Sequence, residues 1–150
     1  MPNVLVLDQS SRTTGYCIGS PTGELIEYGQ KTFASLQEQY HYFHSLLGQH
    51  AITTLVIEDT FMGSNTTTYK TLCEVIGMFK VLAFLNDLEL YIYPAAMWRS
   101  KVNLRGKGRT QVKRAAVQLV NELYGIKVPQ DTSEAILIYK AYMSDNQSAF

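Results

Sequence analysis

Four carboxylates stand out by where they fall. Asp8 closes the apolar run Val4-Leu5-Val6-Leu7, and Glu58 closes a second run, Thr54-Leu55-Val56-Ile57. Asp131 and Glu134 lie three positions apart at the start of a helical stretch, a spacing that puts both on one helical face. The carboxyl ends of strands in open sheets are where ligands sit, so if the two runs are neighbouring strands, Asp8 and Glu58 enter one crevice. Clustered carboxylates repel one another unless a cation or a shared proton offsets the charge. Hard oxygen donors suit Mg²⁺ or Mn²⁺. Two such ions about 3.5–4 Å apart can activate a water and stabilise a leaving oxygen in phosphodiester hydrolysis. Asp8, Glu58, Asp131 and Glu134 are therefore the candidate metal-ligating and catalytic set.

Each acid also has a structural reading. Asp131 suits an N-cap, and Glu134 suits the third helical position, where it complements the helix dipole. Asp8 suits an Asx turn. Glu58 has no common structural role at the end of an apolar strand. Its neighbour Asp59 points to the opposite side by strand alternation. His41 and His44 lie three apart on a helix, but no acid or cysteine besides Glu38 stands near to complete a zinc set, and the pair reads as a surface face.

The formal net charge is +0, from 13 basic and 13 acidic residues. That average conceals an asymmetry. From Leu90 to Asn121 there is no acid, while Arg99, Lys101, Arg105, Lys107, Arg109, Lys113 and Arg114 all fall there. Six basic residues face all thirteen acids in the rest of the chain. Solvated helix faces usually mix signs. A one-signed segment with interspersed glycines is what a phosphate backbone attracts, so these seven residues are the candidate nucleic-acid contacts.

The elements that must position these groups can be read from periodicity. The 150 residues (16.9 kDa, 46% hydrophobic, 17% charged) predict one globular domain spanning 1–150. Strands are expected at 4–7, 13–19, 24–32, 53–57 and 90–93, the first three as an antiparallel meander. Helical spacing runs through Leu36, Tyr40, Phe43 and Leu47, then from about Thr66 to Asn86, from Thr110 to Tyr124 and from Thr132 to Met143. The 66–86 helix is apolar on two sides, along Leu72, Ile76, Phe79 and Ala83 and along Val75, Met78, Leu82 and Leu85. A helix buried on two sides in so small a domain predicts a subunit interface. Asp131 is expected as the N-cap of the last helix, and 144–150 as a fraying tail. No apolar run reaches the roughly 18–20 residues of a membrane span, and the N-terminus lacks the basic region of a signal peptide. Cys17 and Cys73 have no CxxC partner, which predicts reduced thiols and a cytoplasmic setting.

The order of elements, with acids after the first strand, after the fourth and on the last helix, resembles the RNase H-like nucleases. In particular it resembles RuvC-type Holliday junction resolvases. The matching segments are VLVLDQSSRTTGYCI, LVIEDTFMGSNTTT and DTSEAILI, spanning residues 4 to 138. The resemblance implies an α/β fold with a five-stranded mixed sheet, three strands antiparallel and then two parallel, flanked by helices. It implies that Asp8, Glu58, Asp131 and Glu134 hold two Mg²⁺ ions per active site, with Mn²⁺ able to substitute. It implies a homodimer, joined through the 66–86 helix, that makes paired nicks in a four-way DNA junction. Phe61 matches an aromatic that stacks on an unpaired base at the junction centre. Lys101 and Arg109 fall near two basic positions at the scissile region, Arg109 in place of a lysine. The chain reads Asp8-Gln9-Ser10 where the bacterial enzymes carry a DPG-type motif, and Glu134 replaces an aspartate. These departures resemble the bacteriophage branch, which would act in the cytoplasm of a bacterial host.

Other readings stay open. DQSSRTTG also resembles the phosphate turn of sugar kinases, but those need two related domains to clamp ATP, so no nucleotide cofactor is expected. A protein that binds junctions without cutting them would use the basic segment equally well, but four acids beside a phosphate path weaken binding unless metals are present. An RNase H-like nuclease acting on RNA or flaps is a further alternative.

Overall fold

The computed structural model describes residues 2–60 and 63–147. The elements run β1 (Asn3–Asp8), β2 (Thr13–Gly19), β3 (Leu25–Thr32), α1 (Leu36–Gln49), β4 (Ile52–Glu58), α2 (Thr66–Leu85), β5 (Glu89–Tyr93), α3 (Ala95–Lys101), α4 (Gly108–Tyr124) and α5 (Gln130–Gln147). One sheet holds the strands in the order β3-β2-β1-β4-β5. β1, β2 and β3 pair antiparallel, while β4 joins β1 and β5 in parallel. This is the expected mixed sheet.

Strand alternation divides the core. Leu5, Leu7, Ile18, Leu55 and Ile57 face α1 and α2, against Phe43, Leu46, Val75, Phe79 and Leu82. Val4, Val6, Cys17 and Val56 face the opposite side, against Trp98 of α3, Val112 and Ala116 of α4, and Ile136 and Tyr139 of α5. With both faces covered, Leu5, Val6 and Leu7 have no exposed surface, as a continuous apolar run demands. By the same alternation, Asp8 and Glu58 project to the side of α3, α4 and α5.

Local chemistry sets the helix ends. Ser35 accepts the Glu38 N–H at 3.1 Å, and Glu38 Oε2 accepts the Ala34 N–H at 2.9 Å, a reciprocal cap on α1. Asn65 accepts the Thr68 N–H at the start of α2 and caps it. Gly125 ends α4 at φ 72°, a left-handed conformation that glycine adopts without strain.

Three departures from the periodicity reading have physical causes. α3 was not expected, because seven residues after Pro94 make too few turns to display an apolar period. α5 begins at Gln130, so Asp131 lies inside its first turn rather than at the N-cap. Ser133 N–H instead bonds the Pro129 carbonyl, and Gln30 Oε1 from β3 accepts from Thr132 N and Oγ1 at 3.3 Å. α5 also runs on to Gln147 through the segment read as a tail, because Asp145 accepts from Lys101 Nζ and Tyr93 Oη. That anchoring is tertiary and leaves no local periodicity. Among the described residues, no helix is long and apolar enough to cross a membrane.

Candidate metal centre

Parallel pairing brings the strand-end acids together. Leu7 aligns with Ile57 across β1 and β4, so Asp8 and Glu58 leave the sheet side by side. Gln9 reinforces the alignment just past β1. Its Nε2 donates to the Glu58 carbonyl at 2.5 Å, and its Oε1 accepts the Glu58 N–H at 3.3 Å. One side-chain amide thus replaces a missing rung of the ladder. Across β1 from Asp8 stands Gly15 of β2. A Cβ there would lie 2.0 Å from the Asp131 carbonyl oxygen. Only glycine lets the start of α5 approach the sheet this closely, and that approach delivers Asp131 and Glu134.

Asp8, Asp131 and Glu134 each place a carboxylate oxygen within 4.8 Å of the others. Glu58 stands just outside this tight group, but its charge acts on Asp8. Burial, then the charges of Glu58, Glu134 and Asp131, raise the Asp8 carboxyl well above its ordinary range. Burial first, with the Glu134 charge adding, pushes Glu58 up to about 7, against the hydrogen bond from Trp98 and the charges of Arg99 and Lys113. Trp98 Nε1 donates to Glu58 Oε2 at 2.8 Å. Lys113 Nζ lies 3.1 Å from Asp131 Oδ1 and 3.9 Å from Glu134 Oε1. Glu134 is 4% exposed, and its Oε1 has no hydrogen-bond partner among the described residues. A buried acceptor left unpaired costs about 1–3 kcal/mol or more. An all-oxygen set with one such orphan fits a hard divalent cation.

The basic residues divide by placement. Arg105, Lys107, Arg109 and Arg114 are exposed, the first two in the segment between α3 and α4, the others on α4. Lys101 pairs with Asp145. Arg99 is partly buried, its guanidinium 5.4 Å from the Trp98 ring centroid. Lys113, grouped by sequence with the nucleic-acid contacts, directs its ammonium at the acids. Beside Asp131 opens a cleft of about 610 Å³, lined also by Gln30, Val117, Lys127, Val128, Pro129 and Gln130. Phe61 lies outside the described residues. His41 and His44 are both exposed on α1.

Sequence reasoning missed Trp98, Gln9, Gly15 and the inward turn of Lys113. Trp98 carried one signal, as the lone tryptophan of the chain within an otherwise basic segment. The others depend on which strands are neighbours.

The raised carboxyls have a thermodynamic consequence. Both bind protons more tightly in the folded chain than in the unfolded one. Their contribution therefore favours the fold at low pH and is lost as pH rises, through about 7 for Glu58. A cation binds the ionised form and offsets that loss. Calorimetric melts should give a lower melting temperature at pH 8 than at pH 6 in chelator. Added Mg²⁺ should raise it more at pH 8, and Glu58→Gln should flatten the metal-free slope.

No family model matches the chain. The crossover junction endodeoxyribonuclease RuvC of Marinobacter nauticus is 29% identical over 160 residues, covering 99% of this chain and 89% of that protein. RuvC of Caldicellulosiruptor saccharolyticus is 25% identical over 157 residues, covering 97% and 94%. Among solved structures, Thermus thermophilus RuvC in complex with Holliday junction substrate matches with a TM-score of 0.73 at 12% identity, over 98% of this chain and 96% of that one. Fowlpox virus resolvase, solved with Holliday junction DNA, matches at 0.67 and 12% identity, over 96% and 98%. The structural likeness establishes the shared RNase H-like fold. The chain is thus similar to two RuvC enzymes along nearly its whole length and shares its fold with solved Holliday junction resolvases.

Proposed function

We propose that the chain is a structure-selective DNA endonuclease that resolves four-way junctions by metal-dependent phosphodiester hydrolysis. The observation that carries this reading is the meeting of Asp8, Asp131 and Glu134 within 4.8 Å, with Glu58 beside them and an acid-free basic segment next to them in the fold. Asp8, Glu58, Asp131 and Glu134 would hold two Mg²⁺ ions, or Mn²⁺ in their place. Bound there, the ions supply an activated water and a charge that stabilises the leaving oxygen. The chain's own groups do the rest. Burial excludes competing solvent from Glu134, and Lys113 holds Asp131 and reduces the repulsion among the acids before substrate arrives.

Arg105, Lys107, Arg109 and Arg114 form the proposed phosphate path, with Arg99, Lys101 and Lys113 nearer the scissile group. The first turn of α4 contains no acid and carries Arg109. Cations are disfavoured at a helix N-terminus, where the macrodipole is already positive. A polyanion reverses that cost and also binds the free backbone N–H groups. Phe61 is the proposed stacking residue, where base–aromatic contact is worth about 1–3 kcal/mol. Gln9, Ser10 and Glu134, which depart from the bacterial pattern, support a bacteriophage branch acting in a bacterial host's cytoplasm.

The proposed oligomer is a homodimer through α2. Ile76, Phe79 and Ala83 are buried against the sheet, while Val81, Phe84 and Leu85 are 50%, 81% and 63% exposed. With Gly77, which has open space above it, these three form an i, i+4, i+7, i+8 stripe. A second copy on this stripe gives a two-fold enzyme for a two-fold substrate.

Four measurements test the reading. Wild-type protein should cut a synthetic four-way junction in preference to linear duplex, flap or RNA substrates, with Mg²⁺ and not with chelator. Asp8→Asn should abolish cutting and keep junction binding; full nicking by that variant would refute the metal assignment. Lys107→Ala with Arg109→Ala should lower junction affinity and reduce the salt slope of binding by about two. Sedimentation should give a dimer for the wild type at micromolar concentration and a monomer for Phe84→Glu. A wild-type monomer would overturn the α2 interface.

A further inference from the structure

Burying an indole requires a partner for its N–H. Trp98 is fully buried, and its Nε1 spends that one donor on Glu58 Oε2 at 2.8 Å. The indole nitrogen is donor only, so in this bond the Glu58 oxygen is the acceptor. The ring itself is fixed. It belongs to the buried cluster that includes Val56, Val102, Leu104 and Ile136 of α5, on the helix α3 that follows Pro94, with the Arg99 guanidinium 5.4 Å from the ring centroid. Glu58, by contrast, ends its strand beside the tight group of Asp8, Asp131 and Glu134 without being part of it. The backbone of Glu58 is tied by Gln9, which leaves the orientation of its side chain to be set by something else.

We propose that Trp98 is the positioning residue of the metal site, its indole N–H presetting the Glu58 carboxylate for a divalent cation held with Asp8, Asp131 and Glu134. This rests on the metal-site reading above and adds the residue that sets the geometry of its outlying ligand. One Glu58 oxygen is pinned by a rigid donor, so the carboxylate does not have to lose its rotational freedom when the cation arrives. Partners of this kind orient metal ligands, and their loss typically costs about 10–100-fold in metal affinity. Because Glu58 comes from β4 and Trp98 from α3, this hydrogen bond also makes the site depend on how the basic segment packs on the sheet.

The chain has one tryptophan, so an ¹H–¹⁵N spectrum of the whole protein holds a single indole Nε1–H peak that reports this bond. The peak should lie downfield of its position in Glu58→Gln, where a neutral amide replaces the carboxylate. Titration with diamagnetic Mg²⁺ should move it in the wild type. Trp98→Phe should bind Mn²⁺ about 10–100-fold more weakly, with free Mn²⁺ counted by electron paramagnetic resonance. A tryptophan that serves only packing would give an indole peak unmoved by saturating Mg²⁺ and a Trp98→Phe affinity equal to the wild type. Either result overturns the proposal, and the first needs no core substitution. Wild-type protein that retains no Mn²⁺ would overturn the metal site and the positioning role with it. The metal-free Glu58→Gln shift still reports whether the hydrogen bond exists, which tells that failure apart from failure of Trp98 alone.

Discussion

Mutual repulsion among carboxylates on one face of one sheet is the constraint that the rest of the molecule has to meet. Asp8, Glu58, Asp131 and Glu134 all gather where β1 and β4 end, and burial strips away the water that would otherwise screen them. A fold that only sought stability would disperse these charges or replace them with apolar groups. This one concentrates them and supplies partial offsets, in the Lys113 ammonium, the Trp98 indole and the Arg99 charge. The offsets are incomplete, as the orphaned Glu134 oxygen and the raised Asp8 carboxyl record. Uncompensated negative charge held at fixed geometry is a stored affinity for cations.

The scaffold can hold that charge because its neighbourhood is over-determined. β1 and β4 are buried on both faces and cannot slip by a residue without turning their apolar side chains outward. Gln9 extends the pairing by one side-chain rung, so the two acids inherit the register of the strands. α5 is buried on nearly every side from Thr132 to Tyr139, pressed between the sheet and α3 and α4. Its close seat over Gly15 turns a helical i, i+3 pair into part of a sheet-end site. Rigid elements rather than loops therefore carry all four acids, which is how a site keeps ligand geometry within narrow limits.

The basic segment is organised by the same core. α3 and α4 bury Trp98, Val112, Ala116 and Val120 toward α5, and this fixes which cations face out and which turn in. Lys101 and Lys113 both end at acids of α5. Arg105, Lys107, Arg109 and Arg114 remain exposed. A charge count treats the seven alike, whereas packing sorts them by whether the side chain is drawn to a neighbouring element or left in solvent.

Much of this was legible from residue order alone. Continuous apolar runs marked β1 and β4 as doubly buried, their terminal acids marked the end of the sheet where carboxylates gather, and the i, i+3 spacing of Asp131 and Glu134 put both on one face. These are local properties, set by backbone periodicity, and so they survive without knowledge of neighbours. The tertiary structure alone decided that Asp131 sits inside its helix, that α5 continues to Gln147, that Lys113 turns inward and that Trp98 meets Glu58. Each depends on contacts between residues 18 to 102 positions apart in the chain. Such pairs leave no period in the sequence, because their energy comes from excluding water between surfaces that only the folded chain brings together.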